Sequence, residues 1–224
     1  MSQADRGIVS DSLGVGLATG AYGISFGAIS TASGLDVAQT CALSLLVFTG
    51  ATQFAFVGVI ASGGAPLAGA LTGLLLGSRN LFYGLTLAPL LRLRGLRRVA
   101  SAHLVIDEST AMAITRSSGQ HARLGFYWTG ISIFVLWNLT TLLGALAGNA
   151  LGDPRAYGLD AAVGAAFLGL LWPRLGSTLA RCVAVLAAAV ALGLVPVTAA
   201  GMPIIVGGAV AVLAGMLVRA RGPA

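Results

Sequence analysis

The sequence predicts an all-α polytopic membrane protein with about seven transmembrane helices plus a polar, non-crossing helical segment, re-entrant or buried. Three observations carry this reading. Hydrophobic residues make up 57% of the 224-residue chain and charged residues only 9%, and the mean hydropathy is +0.91. A soluble domain uses roughly a quarter charged residues, so a water-facing fold of this composition lacks the polar atoms to cover its surface. Long apolar runs follow one another, separated by short breaks rich in Gly, Asp and Pro. None shows the period-two alternation of a barrel strand, and a lone segment in lipid satisfies its own backbone only as a helix.

The runs are Leu13–Ala32, Val37–Ser62, Pro66–Leu91, Leu124–Asn149, Leu159–Trp172, Thr178–Val195 and Met202–Val218. Most approach or exceed the roughly 20 residues that a bilayer core requires. Between the third and fourth lies Val99–Thr115, which carries His103, Asp107 and Glu108 among Ser101, Ser109 and Thr110. Each charged side chain at a helix centre costs about 2.5–3.5 kcal/mol to insert. Such a segment either lies buried in the bundle or enters without crossing.

Arginines decide the expected topology. Arg92, Arg94, Arg97 and Arg98 precede the polar segment, and Arg116 and Arg123 follow it. The positive-inside rule places both flanks in the cytoplasm. Arg174, Arg181, Arg219 and Arg221 then also fall inside, Arg6 and Arg155 outside, and the N-terminus is expected outside. Gly34-Leu35-Asp36 opens the second run and Gly158-Leu159-Asp160 the fifth. This echo allows a 3+3 inverted repeat within one transmembrane domain, 1–224. Repeat one would span about 12–92, the polar segment 99–116, repeat two about 124–196 and a terminal helix 202–218. Inverted repeats of this kind are a recurrent plan of secondary transporters.

Several function classes are excluded. The 13 basic residues, all Arg, outnumber the seven acidic ones for a net charge of +6. No basic stripe is interleaved with exposed aromatics, so no nucleic-acid partner is expected. Cys41 and Cys182 sit inside apolar runs and read as small hydrophobes. His103 and Asp107 lie one turn apart, but nothing completes a metal set, and neither metal nor cofactor is expected. With His103 and His121 as the only histidines, no nucleophile–base pair emerges, so the protein is not expected to be an enzyme. Asp5, Arg6 and Asp11 ahead of a long Gly-rich run argue against a cleavable signal peptide.

Arg79 is the strongest oddity, lying deep within the third run. An intramembrane ionisable residue is a functional-site hypothesis by default, with its partner to be named. Asp107 and Glu108 are the candidate partners, as an ion pair or as proton-coupling groups. The pair would either only fix packing or leave a guanidinium to grip a substrate carboxylate through two parallel donors. Adjacent carboxylates and burial both favour protonation of one member, as a proton relay needs. In Phe48-Thr49-Gly50-Ala51-Thr52-Gln53-Phe54, small residues suit helix contact, while the Gln53 amide needs partners and is either a ligand or packing glue. Gly16, Gly20, Gly23 and Gly27 form a small-residue face for close packing or local unwinding, and Gly50 reads likewise.

With these residues assembled, the chain resembles the AzlC-type large subunits of bacterial branched-chain amino acid exporters. The likeness rests on Gly20–Gly27 with Gly34-Leu35, on Val47-Phe48-Thr49-Gly50-Ala51-Thr52-Gln53-Phe54, on Ser78-Arg79-Asn80-Leu81-Phe82-Tyr83-Gly84-Leu85, and on Asp107-Glu108. Thr49 and Thr52 stand where that family more often shows Ala and Ser. The resemblance implies a permease of the bacterial cytoplasmic (inner) membrane that exports valine, leucine, isoleucine or related apolar amino acids. It also implies a small AzlD-type membrane subunit as partner. On physical grounds the expected substrate-binding residues are Arg79, Gln53, Asn80, Phe54, Phe82 and Tyr83. The competing expectations are a scaffold subunit that moves nothing and a permease for another small amphiphilic acid.

Overall fold

The structure, a computed structural model, describes residues 2–151, 168 and 171–220. Every regular element among the described residues is helical. Helices α1 (Gln3–Ala21) and α2 (Gly23–Ala32) form one apolar rod interrupted at Tyr22. α1 begins at a capping box in which Ser2 and Asp5 satisfy each other's backbone N–H groups. Gly34, at φ +96°, ends α2, a conformation glycine adopts without a Cβ clash. Asp36 and Gln39 then form a second capping box that starts α3 (Val37–Leu46).

The second apolar run is not the single continuous helix that the expected topology requires. It breaks at Val47–Thr49 into α3 and α4 (Gly50–Ala61). At 1.5 Å per residue these 10- and 12-residue helices reach about 15 and 18 Å, against a hydrocarbon core of about 30 Å. Gly34, Leu35 and Gln39 at the entry line the same surface depression as Ile60 and Pro66 at the exit. The run is therefore a hairpin, and its tip lies beside Phe134 and Trp137, near the middle of the helix Gly119–Leu151.

α5 (Pro66–Gly77) and α6 (Arg79–Leu91), joined at Ser78, then carry the chain to the opposite end. There the polar segment forms a second hairpin, α7 (Gly95–Ala102) and α8 (Asp107–Ile114). Its exit is fixed by a cluster of Leu87 and Leu91 from α6 with Ala113, Ala122 and Phe126. Neither of its two eight-residue helices is long enough to span by itself, and the hairpin turns at His103–Ile106. α9 (Gly119–Leu151) follows as a rod of 33 residues, about 50 Å long. α10 (Thr178–Leu194) and α11 (Met202–Ala220) complete the described elements and pack as a pair, Gly207 lying against Ala187 and Ala191.

α9 runs parallel to α1–α2. Ser132 Oγ donates to the Ser12 carbonyl at 3.4 Å and Thr140 Oγ1 to the Gly20 carbonyl at 2.6 Å, and Gly148 lies against Ala28 and Thr31. The first and fourth runs were expected to be antiparallel. Because the second run turns back, they are parallel, and the predicted inversion between them does not hold. What runs in opposite directions is α1–α2 with the first hairpin and α5–α6 with the second. Gly158-Leu159-Asp160 and most of the fifth run lie outside the described residues. Among the described residues, the helices long and apolar enough to span are Gln3–Ala32, Pro66–Leu91 and Gly119–Gly148.

The N-terminal expectation also changes. Arg116 pairs with Asp11 at 3.3 Å and His121 approaches Asp5 at 3.4 Å, so the start of α1 shares its end of the molecule with Arg92–Arg98 and Arg123. Among the described residues, the loops at the other end, 33–36, 62–65 and 195–201, contain no Arg or Lys. The N-terminus therefore lies at the arginine-rich end, the end that the positive-inside rule expects in the cytoplasm, and not at the opposite one. Reporter insertions at Leu35 and Gly63 are expected to share one side. Those at the N-terminus, Gly95 and Gly119 should share the other. Opposite readings at Leu35 and Gly63 would refute the first hairpin.

Candidate functional site

The two hairpin tips meet at mid-depth, where broken helices leave carbonyl groups without intrahelical partners. Side chains take up these groups. Gln53 Nε2 donates to the Leu43 and Ser44 carbonyls, each at 3.3 Å, and Gln53 Oε1 accepts from Trp137 Nε1 at 3.0 Å. His103 Nε2 lies 2.9 Å from the Leu45 carbonyl and tilts against Phe48 and Phe134. Phe26, Phe54 and Trp137 pack around the first tip. His103, which the sequence offered only as a poor metal candidate, instead ties the second hairpin to the first.

Beside the tips lies an ionic cluster. Arg79 is the first residue of α6 and Asp107 the first of α8, so a break in the chain delivers each charge to mid-depth. A carboxylate in the first turn is also favoured by the helix dipole. Arg79 Nη2 donates to Asp107 Oδ2 at 2.5 Å, and the Tyr83 hydroxyl, one turn along α6, donates to Asp107 Oδ1 at 2.6 Å. Arg174, on the short turn Trp172–Arg174, donates to the Tyr83 oxygen at 2.6 Å and to Asp107 Oδ1 at 3.2 Å. The side chains of Arg79 and Asp107 are 22% and 13% exposed, that of Arg174 57%. The Glu108 side chain, next along α8, makes no hydrogen bond to another described residue. Arg79 Nε and Asn80 Oδ1 are buried without a partner among the described residues.

A cavity of about 850 Å³ opens from this cluster toward the arginine-poor end. Its wall is apolar: Phe54, Ala55, Gly58 and Val59 from α4, Leu76 from α5, and Val195, Ala200, Pro203 and Ile204 around the α10–α11 connection. Arg79 and Arg174 line its inner part, and Ser62 and Thr198 add hydroxyls. That size lies within the range of small-molecule sites. The arrangement offers an apolar side chain a wall and an anion two guanidiniums.

The structure sorts the expected binding residues. Arg79 and Phe54 line the cavity, and Tyr83 joins it through the ionic cluster. Gln53 does not reach it: the residue is wholly buried and its amide is consumed by the hairpin tip and Trp137. Phe82 turns 64% exposed to the outer surface, because α6 presents that face away from the bundle, and Asn80 is likewise absent from the lining. Gly20, Gly23 and Gly27 lie against α9, and Gly50 lies against the Trp137 ring. Sequence reasoning missed Arg174, read as an ordinary loop arginine. The signal available was its position directly after Trp172-Pro173, at the end of an apolar run.

Gln53→Leu should strand the Leu43 and Ser44 carbonyls and the Trp137 indole. Each buried group left unpaired costs about 1–3 kcal/mol. A fall of several degrees in the melting temperature of the detergent-solubilised protein is expected, and an unchanged value would remove Gln53 from this role.

Fold and cluster together define a helical integral membrane protein in which two helical hairpins hold a partly enclosed ion pair beside an apolar cavity. The sequence model of the AzlC protein family matches residues 14–151, more than half of the chain, and the chain belongs to the AzlC family. An uncharacterized membrane protein of Haemophilus influenzae is 24% identical over 138 residues, covering 61% of this chain and 56% of that relative. The similarity thus spans little more than half the relative's length. No solved structure matches the chain.

Proposed function

We propose that this protein is the permease component of a secondary transporter that exports branched-chain or other apolar amino acids across the bacterial cytoplasmic membrane. The observation that supports this most directly is the apolar cavity with Arg79 and Arg174 at its inner end. An apolar amino acid has the matching chemistry: a hydrocarbon side chain for the wall and a carboxylate for a guanidinium. The protein is a carrier, not an enzyme, and works with a small AzlD-type membrane subunit.

Coupling follows from competition. Asp107 and the substrate carboxylate both seek the same arginines, so a proton on Asp107 or Glu108 frees positive charge for the substrate. Loss of that proton restores the internal pair and releases the substrate. Binding energy shifts a two-state carrier only through such differential contacts. In cells loaded with a leucine-containing dipeptide, Arg79→Gln is expected to abolish leucine efflux while the protein remains in the membrane. Unchanged efflux would take Arg79 out of the mechanism.

The closed Arg79–Asp107 pair also favours a second reading, a scaffold subunit in which these charges only hold α6 to α8. That reading expects the chain to move nothing in proteoliposomes, with or without its small partner. Counterflow across the common amino acids separates the two, and it also separates apolar amino acids from other small amphiphilic acids.

A further inference from the structure

We propose that Arg174, rather than Arg79, is the residue that receives the substrate's carboxylate. The assignment rests on the transport reading above and specifies which guanidinium the acid meets. Both arginines line the cavity, but they are held differently. Arg79 contacts Asp107 at 2.5 Å with both side chains largely enclosed, whereas Arg174 reaches Asp107 at 3.2 Å and remains 57% exposed. The looser, more accessible cation is the one a ligand can recruit without first opening the tighter pair.

Exchange at Arg174 leaves no stranded charge. When Arg174 turns to a ligand, Asp107 keeps Arg79 on Oδ2 and the Tyr83 hydroxyl on Oδ1. When Arg79 turns away instead, the carboxylate loses its shortest contact, and an uncompensated buried charge is strongly unfavourable. Within the hydrogen-bonded cluster two guanidiniums share one carboxylate, so N–H donors on the outer guanidinium remain for a second carboxylate.

The backbone suits this division of roles. Arg79 sits where α5 meets α6, inside a crossing rod, and cannot shift without moving it. Arg174 ends a three-residue 3₁₀ turn followed by a non-helical link to α10, and its side chain is the most exposed of the three charged groups in the cluster. It also lies outside residues 14–151, the part of the chain that defines the family. The contact that fixes the acid is thereby placed on a separate stretch of chain from the pair that fixes the fold.

The test uses membrane vesicles from the native host, deleted for its own copy and carrying the full chain or a variant. Binding is read by competition against labelled leucine, with leucine, leucinamide and alanine as competitors. Leucinamide keeps the side chain and lacks the carboxylate; alanine keeps the carboxylate and lacks the apolar bulk. The wild type should prefer leucine over both. Arg174→Gln should weaken leucine about 10- to 100-fold, the worth of a hydrogen bond to a charged group, while leucinamide stays unchanged and the preference for leucine over alanine persists. Arg174→Lys, which keeps the charge without the two-pronged fork, should fall between. Should Arg174→Gln fail to accumulate in the membrane, Arg174→Lys carries the same comparison. A wild-type ratio of leucine to leucinamide in the variant overturns the Arg174 assignment and leaves the transport reading standing. A wild type that binds none of the three overturns both.

Discussion

Arg79→Gln and Asp107→Asn, made singly, are each expected to cut leucine efflux about 100-fold and also to destabilise the protein. Removing one partner of a desolvated charge pair costs about 2–5 kcal/mol, much of it the penalty of leaving the other charge alone. The pair here is only partly enclosed, Arg79 being 22% exposed, so the lower part of that range applies. The combined variant Arg79→Gln/Asp107→Asn separates the two roles. Neither charge is stranded in it, and a side-chain amide can still bridge the positions, so its melting temperature should return most of the way to the wild type. Efflux should not return. A double variant that is both stable and fully active would make the pair purely structural and favour the scaffold reading.

Gly27→Leu is expected to abolish the folded protein. A Cβ at Gly27 would collide with the Thr141 carbonyl and approach the Ala145 backbone, and one at Gly144 would strike the Ile24 carbonyl. Backbone meets backbone there, so no flexible side chain can yield. The parallel rods α1–α2 and α9 would have to separate along their whole contact. Overpacking a well-fitted interior typically costs about 1–3 kcal/mol through shifted side chains, and a clash between main chains exceeds that. The measurement is the monodisperse fraction after detergent extraction, which should fall to background. Gly14→Leu supplies the control: nothing lies within 4 Å of a Cβ at Gly14, and the same added bulk should leave the fraction unchanged. Loss of the peak in both variants would point to insertion rather than helix contact.

Composition and hydropathy made the fold class and the membrane legible, because sparse charge and long apolar runs have few other physical solutions. Arg79 and Asp107 were legible as partners because a charge inside an apolar segment must be answered by another. The small-residue face of the first run was legible too, although the partner it meets was not. Other features were hidden for identifiable reasons. Val37–Ser62 has the length and hydropathy of a span, and nothing in its composition distinguishes a crossing helix from two half-helices. The distinction lies in where Pro66 returns relative to Gly34. Gln53 advertises only that its amide needs partners, and the Leu43 and Ser44 carbonyls that supply them become available once α3 has ended. Arg174 looks like any arginine beside a turn until Tyr83 and Asp107 are brought to it.

The linear chain determined, through burial cost, that this is a helical protein of the bilayer and that Arg79 needs an acidic partner. Chain direction was left to the tertiary structure. Hydropathy records how apolar a segment is and carries no sign for whether it continues or turns back, so contacts between distant segments settled the two hairpins, the parallel packing of α9 on α1–α2, and the charged groups beside which the N-terminus lies. The same contacts decided which polar side chains face the cavity and which close the ends of interrupted helices.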